Sequence, residues 1–291
     1  MALTLHTPEC GVALETTLLL HGVPKGEGEP LARELEAIVR AQGATPLCVG
    51  IVSGKPIVGL SNEQLRTLLN APKVPKANTA NLGVLMHRGQ HAATTVSTTM
   101  ELAAAAGVKL FATGGLGGVH EGYGTHLDIS ADLAAFTRFP VGVVTSGVKS
   151  ILDVVATREA LETLGITVVG FRTDRFPAFY LRESAAGVDA RFDDEDSLAA
   201  FLKSELARTG RGIVIANPIP VEHELSRADW DSWLSQARKA AEASAAAGRD
   251  VTPALLGHLH AISGGRTLKA NLELVKSNAR LAGALAARMR S

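Results

Sequence analysis

The stretch "VGVVTSGVKSILDVVATREALETLGITVVGF", Val141 to Phe171, decides the fold. An apolar run ending in Thr-Ser-Gly reads as a buried strand. "SILDVVATREALETLG" then carries helical periodicity and ends on Gly165, and "ITVVGF" is a second apolar run. Strand, helix and strand at this spacing form a βαβ unit, which requires a parallel pairing. The same alternation runs along most of the chain. "VKLFATGG" and "GIVIANPIP" read as strands, and "SLAAFLKSELARTG" as a helix. "PLARELEAIVRAQG" is a helix with proline at its start and glycine at its end. "LCVGIVSGKPIVGL" reads as two strands around a tight turn, and Ser61 with Gln64 as a capping box. "TTVSTTMELAAAAG" is a helix, "SADLAAF" a short one capped by Ser130, and three helical stretches fill the C-terminus. "VALETTLLL" and "NLGVLM" read as further strands, and "RESAAGVDARFDDEDS" as a surface excursion. The alanine-rich "ARKAAEASAAAGRD" suits a peripheral helix. The expected fold is α/β: a single α/β/α domain over residues 1–291, with a mainly parallel central sheet.

Bulk properties narrow the function. The chain has 291 residues, with 46% apolar and 4% aromatic, so Ala, Val and Leu must fill the core. Basic and acidic residues balance at 29 each, which argues against a nucleic-acid partner. No leader pattern opens the chain and no apolar run spans a bilayer, so no membrane role is expected and a cytoplasmic location is the default. Cys10 and Cys48 form no metal or redox spacing and read as buried, reduced residues.

In parallel sheets ligands bind beyond the carboxyl ends of strands, and the unusual residues cluster there. "FATGGLGGVHEG", Phe111 to Gly122, has five glycines in twelve residues. His120 stands where a dinucleotide fingerprint needs glycine, and no Gly-Lys-Ser/Thr follows. The turn therefore either serves packing or lets main-chain amides approach an anion. Asp128 and Asp132 flank Ser130, either as capping or as an anion- or cation-holding end. Lys149 follows a purely apolar strand. It is either a solvated lysine or an amine held in a cleft at a helix start, where burial would favour the uncharged form that adds to carbonyl carbons. Glu15 interrupts an apolar run, so either its strand lies at an edge or the carboxyl faces a cavity as a general acid. Lys76 is a second isolated cation, Asn217 ends a strand, and His258 and His260 could suggest a metal but read better as part of a helical face.

In order along the chain, "ALETT", "PKAN", "ATTV", "TGGLGGVHEG", "DISADL", "GVKSILD", "ANPIP" and "NLELVKSNARL" resemble the pseudouridine-5′-phosphate glycosidase family, which includes indigoidine synthase A-like proteins. The resemblance implies reversible cleavage of the C–C glycosidic bond of pseudouridine 5′-phosphate to uracil and ribose 5-phosphate. It implies a lysine–ribose Schiff base, a divalent metal, usually Mn2+, and a homotrimer. It makes Lys149 the nucleophile, Glu15 the proton donor and Asp128 the metal-holding carboxylate. Lys76, Val96, His120, Ser130, Ala131, Asp132 and Asn217 match substrate-binding positions, and Asp132 suits the proton transfer of ring opening. The chain departs from the family's pattern in three places. "KANTAN" stands where arginines commonly follow the lysine, "QHAATTV" replaces N-G-A-T-T-V, and Glu121 replaces an arginine. Two other readings stay open: a Schiff-base enzyme of a different C-nucleoside or sugar phosphate, and a non-catalytic nucleotide-binding homologue.

Overall fold

The computed structural model describes residues 4–5, 10–124, 127–243 and 251–290. The strands are β1 (Thr4–Leu5), β2 (Gly11–Glu15), β3 (Thr45–Val52), β4 (Lys55–Val58), β5 (Lys76–Ala77), β6 (Ala92–Thr94), β7 (Leu110–Ala112), β8 (Gly142–Thr145), β9 (Val168–Phe171), β10 (Ala190–Phe192) and β11 (Ile213–Ala216). The helices are α1 (Thr16–His21), α2 (Gly28–Ala41), α3 (Asn62–Asn70), α4 (Leu82–His87), α5 (Val96–Ala105), α6 (Ala131–Phe136), α7 (Val154–Thr163), α8 (Glu195–Thr209), α9 (Arg227–Ala243), α10 (Val251–Ile262) and α11 (Arg266–Arg288). One sheet runs in the order β1-β4-β3-β2-β7-β8-β11-β9-β10, with β6 also on β3 and β5 on β6. Pairings from β3 through β2 to β10 are all parallel; β4 and β6 pair with β3 antiparallel. The fold is the mainly parallel α/β architecture expected from the Val141–Phe171 unit.

All five residues of β2 are buried, as are β7, β8, β9 and β11 throughout. A strand buried on both faces must be covered on both. Helix α11 lies over β2, β7 and β8 and packs on α2 and α8, while α5 lies against β2, β3, β4 and β7 and packs on α6. Phe111, Phe136, Phe176 and Tyr180 are the largest fully buried side chains in a core otherwise built from Ala, Val, Ile and Leu. The β3–β4 turn has positive φ at Ser53 and Gly54, and the Ser61–Gln64 capping box forms on α3.

Four readings are corrected. "VALETTLLL" is not one strand: β2 stops at Glu15 and α1 starts at Thr16. There the Thr16 hydroxyl donates to the Val49 carbonyl, taking over from the strand ladder. A short apolar run with β-branched residues suits either state, and the end of the sheet decides. "NLGVLM" is helix α4, because the Asn78 side chain accepts from the Ala80 and Asn81 amides and winds the chain into a turn. Helix α7 begins at Val154, not beside Lys149; Asp153 caps it by accepting from the Ala156 amide. The excursion after Arg182 contributes edge strand β10. The alanine-rich helix is described to Ala243 as part of α9; its continuation to Asp250 lies outside the described residues.

Candidate active site

Strands β2, β7 and β8 are neighbours and parallel, so their carboxyl ends meet on one side of the sheet. The register aligns Leu14 with Ala112 and Ala112 with Val144. Glu15 and Thr113 therefore leave their strands at the same level, and the Thr113 hydroxyl donates to Glu15 Oε1. The two loops beyond β7 and β8 continue the ladder. The Ser146 amide donates to Gly114 O, Leu116 to Gly147 O, and Lys149 to Leu116 O at 3.1 Å. That rung fixes the main chain of Lys149 over the end of β7.

The cavity at these ends is lined by Glu15, Thr17, Leu18, His21, Lys76, Thr113, Gly114, Gly115, Lys149, Phe179, Tyr180 and Asn271, among others. Glu15 thus lies at the end of a central strand and faces a cavity, which resolves the sequence alternative. Burial pushes its carboxyl above the ordinary carboxylate range; the Lys149 charge and the Thr113 hydrogen bond pull against this, and Asp132 adds to it. A carboxyl shifted in this direction suits a general acid. His21 also lines the cavity. Burial, then the charge of Lys76, hold its imidazole below its usual range, while a hydrogen bond to the Val74 main chain opposes the shift.

Three polar atoms of cavity-lining residues have no hydrogen-bond partner: Thr17 Oγ1, Tyr180 OH and Asn271 Oδ1. Buried polar atoms left unpaired cost free energy, so each calls for a partner the chain itself does not supply. Burial also pushes the Tyr180 phenol above its ordinary range. Thr113, Tyr180 and Asn271 escaped sequence reasoning. Thr113 was detectable as the polar residue between strand and glycine turn, and Asn271 as an amide on the buried face of α11.

The other sequence-derived residues lie outside that lining. Ser130 and Asp132 lie against Gly117, Ala131 stands between them at the start of α6, and Val96 begins α5. Asp132 is 5% exposed, and its carboxylate accepts from the Ser97 and Gly117 amides, both at 2.9 Å. It therefore clasps the glycine turn to the start of α5. Ser130 caps α6 by accepting from the Asp132 amide. Asp128 points elsewhere: it is exposed, with His120 Nε2 3.9 Å from Oδ2. Asn217 donates to Asn278 Oδ1 at 2.9 Å, and Asn278 donates to Thr113 O at 2.7 Å. This chain ties α11 to the ends of β7 and β11. In "KANTAN", Asn78 and Asn81 bond to their own loop and do not line the cavity. Arg88 and His87, at the end of α4, do not line it either. His260 bonds to Thr267 between α10 and α11.

A lysine and a buried carboxyl gathered at the ends of the neighbouring parallel strands β2, β7 and β8 define an α/β protein with a lysine–carboxyl site at its topological switch point. The family described as indigoidine synthase A like protein matches residues 2–288, and the chain belongs to it. Relatives named pseudouridine-5′-phosphate glycosidase agree throughout. That of Symbiobacterium thermophilum is 42% identical over 285 residues, covering 96% of this chain and 92% of its own. That of Caldanaerobacter subterraneus is 45% identical over 280 residues, covering 96% and 91%. An indigoidine synthase A-like protein from Thermotoga maritima superposes with a TM-score of 0.91 at 34% identity, over 100% of this chain and 97% of its own. The prealnumycin C-glycosynthase AlnA, solved with ribulose 5-phosphate, gives 0.88 at 34% identity, over 96% and 91%.

Proposed function

We propose that this chain is a C-glycosidase that cleaves pseudouridine 5′-phosphate reversibly to uracil and ribose 5-phosphate. The observation that carries the reading is the placement of Glu15, Lys76 and Lys149 around one cavity at the strand ends. The names of the relatives supply the substrate.

A glycosidic carbon–carbon bond offers no heteroatom to protonate, so the base must leave as carbon. The C1′–O4′ bond breaks as Asp132 gives a proton to O4′, Lys149 Nζ bonds C1′, and the proton shed by that nitrogen returns to Asp132. The nitrogen lone pair becomes the C=N bond as the C1′–C5 bond breaks. Glu15 gives its proton to C5 of the departing uracil. Water then adds to the iminium carbon, its proton returns to Glu15, and the C–N bond breaks to free ribose 5-phosphate and the lysine amine. Lys76 meets the anionic end of the substrate, and Asn271 Oδ1 accepts from the base. Val96, Ser130, Ala131, His120 and Asn217 complete the substrate's surroundings by holding the loops and helix ends around it.

Asp128 suits a hard cation such as Mn2+ that keeps most of its water. Among the described residues no three His, Cys, Asp or Glu side chains converge as a metal cage. Asp128, with His120 beside it, would hold such an ion by one carboxylate, and the ion would supply positive charge to substrate oxygens. Exposed Tyr123, Leu127 and Ile129 favour self-association, in keeping with a homotrimer. Among the described residues no helix is long and apolar enough to cross a membrane. Free, buried Cys10 and Cys48 suit a reducing cytoplasm.

The test is uracil release from pseudouridine 5′-phosphate, with unphosphorylated pseudouridine as the comparison. Release from the phosphate alone supports the reading. No release from either, with or without Mn2+, contradicts it.

A further inference from the structure

The segment Arg175–Leu181, "RFPAFYL", crosses the site, and one of its residues is strained. Phe179 has φ +62, a left-handed conformation that non-glycine residues rarely adopt. Neighbouring bonds hold it there. Its amide donates to Ser146 O at 2.9 Å, and Ala178 bonds Leu181 in both directions. The ring then lies against the glycine turn. A Cβ on Gly115 would sit 2.5 Å from the Phe179 ring, so only glycine fits beneath it. A Cβ on Gly114 would be equidistant, at 3.4 Å, from the ring and from Asn271 Oδ1. The unpartnered amide oxygen and the ring, with Leu274 Cδ1, thus surround the same point beside Gly114, a residue of the cavity wall. Tyr180 meets the Phe179 ring edge-on, with centroids 4.7 Å apart and planes at 78°. Strain of this kind persists at sites where the displaced side chain is put to use.

Lys76, which lines the cavity, suits the charged sugar phosphate. A flat, apolar ring beside an amide oxygen suits a planar heterocycle. Resting on the glycosidase reading above, we propose that Phe179 is a specificity-determining residue: its ring is the wall against which the pyrimidine base lies as it leaves or returns. Neither the names of the relatives nor the resemblance assigns this residue a role.

The test uses the full chain and the variants F179L and F179Y. Leucine keeps apolar bulk and loses the flat ring; tyrosine keeps the ring. Uracil affinity is measured by titration calorimetry. The lysine–sugar adduct is measured separately, by borohydride trapping with ribose 5-phosphate and mass spectrometry. F179L should weaken uracil binding at least about fivefold, the low end of what one aromatic contributes to holding one base. It should leave adduct yield unchanged, and F179Y should match the parent in both. Unchanged uracil affinity in F179L overturns the proposal, as does a parent that does not bind uracil. An adduct yield that falls in step with uracil affinity also overturns it, because the ring would then be supporting the Lys149 loop. A parent that binds uracil but forms no adduct refutes the Schiff-base reading and leaves the wall tested on its own terms.

Discussion

Gly147 lies two residues before Lys149 at a position that tolerates no side chain. Its φ is +88, and a Cβ built there falls 1.8 Å from Pro177 O. Reaching ordinary contact at 3.4 Å requires a displacement of about 1.6 Å, and the atom in the way is backbone rather than a flexible side-chain tip. G147A therefore carries two costs. The left-handed conformation costs an L-residue about 1–2 kcal/mol. Overpacking against the Pro177 main chain adds about 1–3 kcal/mol. The sum is a loss of about 2–5 kcal/mol in unfolding free energy, read by urea titration. The structure also says where the relief goes. Gly147 O accepts from Leu116, and Lys149 donates to Leu116 O, so a shift at Gly147 moves the rung that carries the lysine. A misplacement of about 1 Å at a reacting group costs on the order of 100-fold in rate. Turnover of folded G147A, at a urea-free concentration where it is native, should fall at least that far. A variant with parental stability and parental rate would refute the claim that the two loops hold Lys149 by this ladder.

Glu15→Gln removes the proton donor and should slow turnover about 100- to 10,000-fold. It should also flatten the pH dependence of stability. Because burial raises the folded-state pKa of Glu15, its contribution is complete below the unfolded value of 4.5 and is lost as pH rises through the folded value. Over that range the parent's Tm should decline more than that of E15Q. Asp132→Ala leaves the Ser97 and Gly117 amides without their acceptor, at about 1–3 kcal/mol each. Thermal unfolding should show that loss, and D132N, which keeps one carbonyl oxygen, should lose less. Asp128→Ala should raise the Mn2+ concentration for half-maximal uracil release by at least about tenfold without lowering Tm, since the side chain is exposed.

The parallel sheet was legible because glycine and proline punctuate the helices and apolar runs separate them. Lys149 and Glu15 stood out because each breaks an apolar stretch, which is a one-dimensional signal. The turn into α1 was not legible, since Thr16-Thr17-Leu18 suits strand and helix alike and only the end of the sheet selects between them. Nor was the helix start after Lys149, because Asp153 was hidden among residues equally able to be helical. Asp132 showed as a polar residue at a helix start, but its hold on Ser97 and Gly117 spans 35 and 15 residues. Phe179 gave no sequence signal, and Asn271 showed only as an amide on the apolar face of a helical stretch. They reach the site because the Arg175–Leu181 segment and α11 pack over strand ends far from them in the chain.

The central claim is that the amine of Lys149 bonds the sugar carbon. The direct measurement is mass spectrometry of the chain after incubation with ribose 5-phosphate and borohydride. A gain matching reduced ribose 5-phosphate, mapped to the peptide holding Lys149 and missing from K149A, is the expected result. No mass gain, or a gain that survives in K149A, would contradict the account.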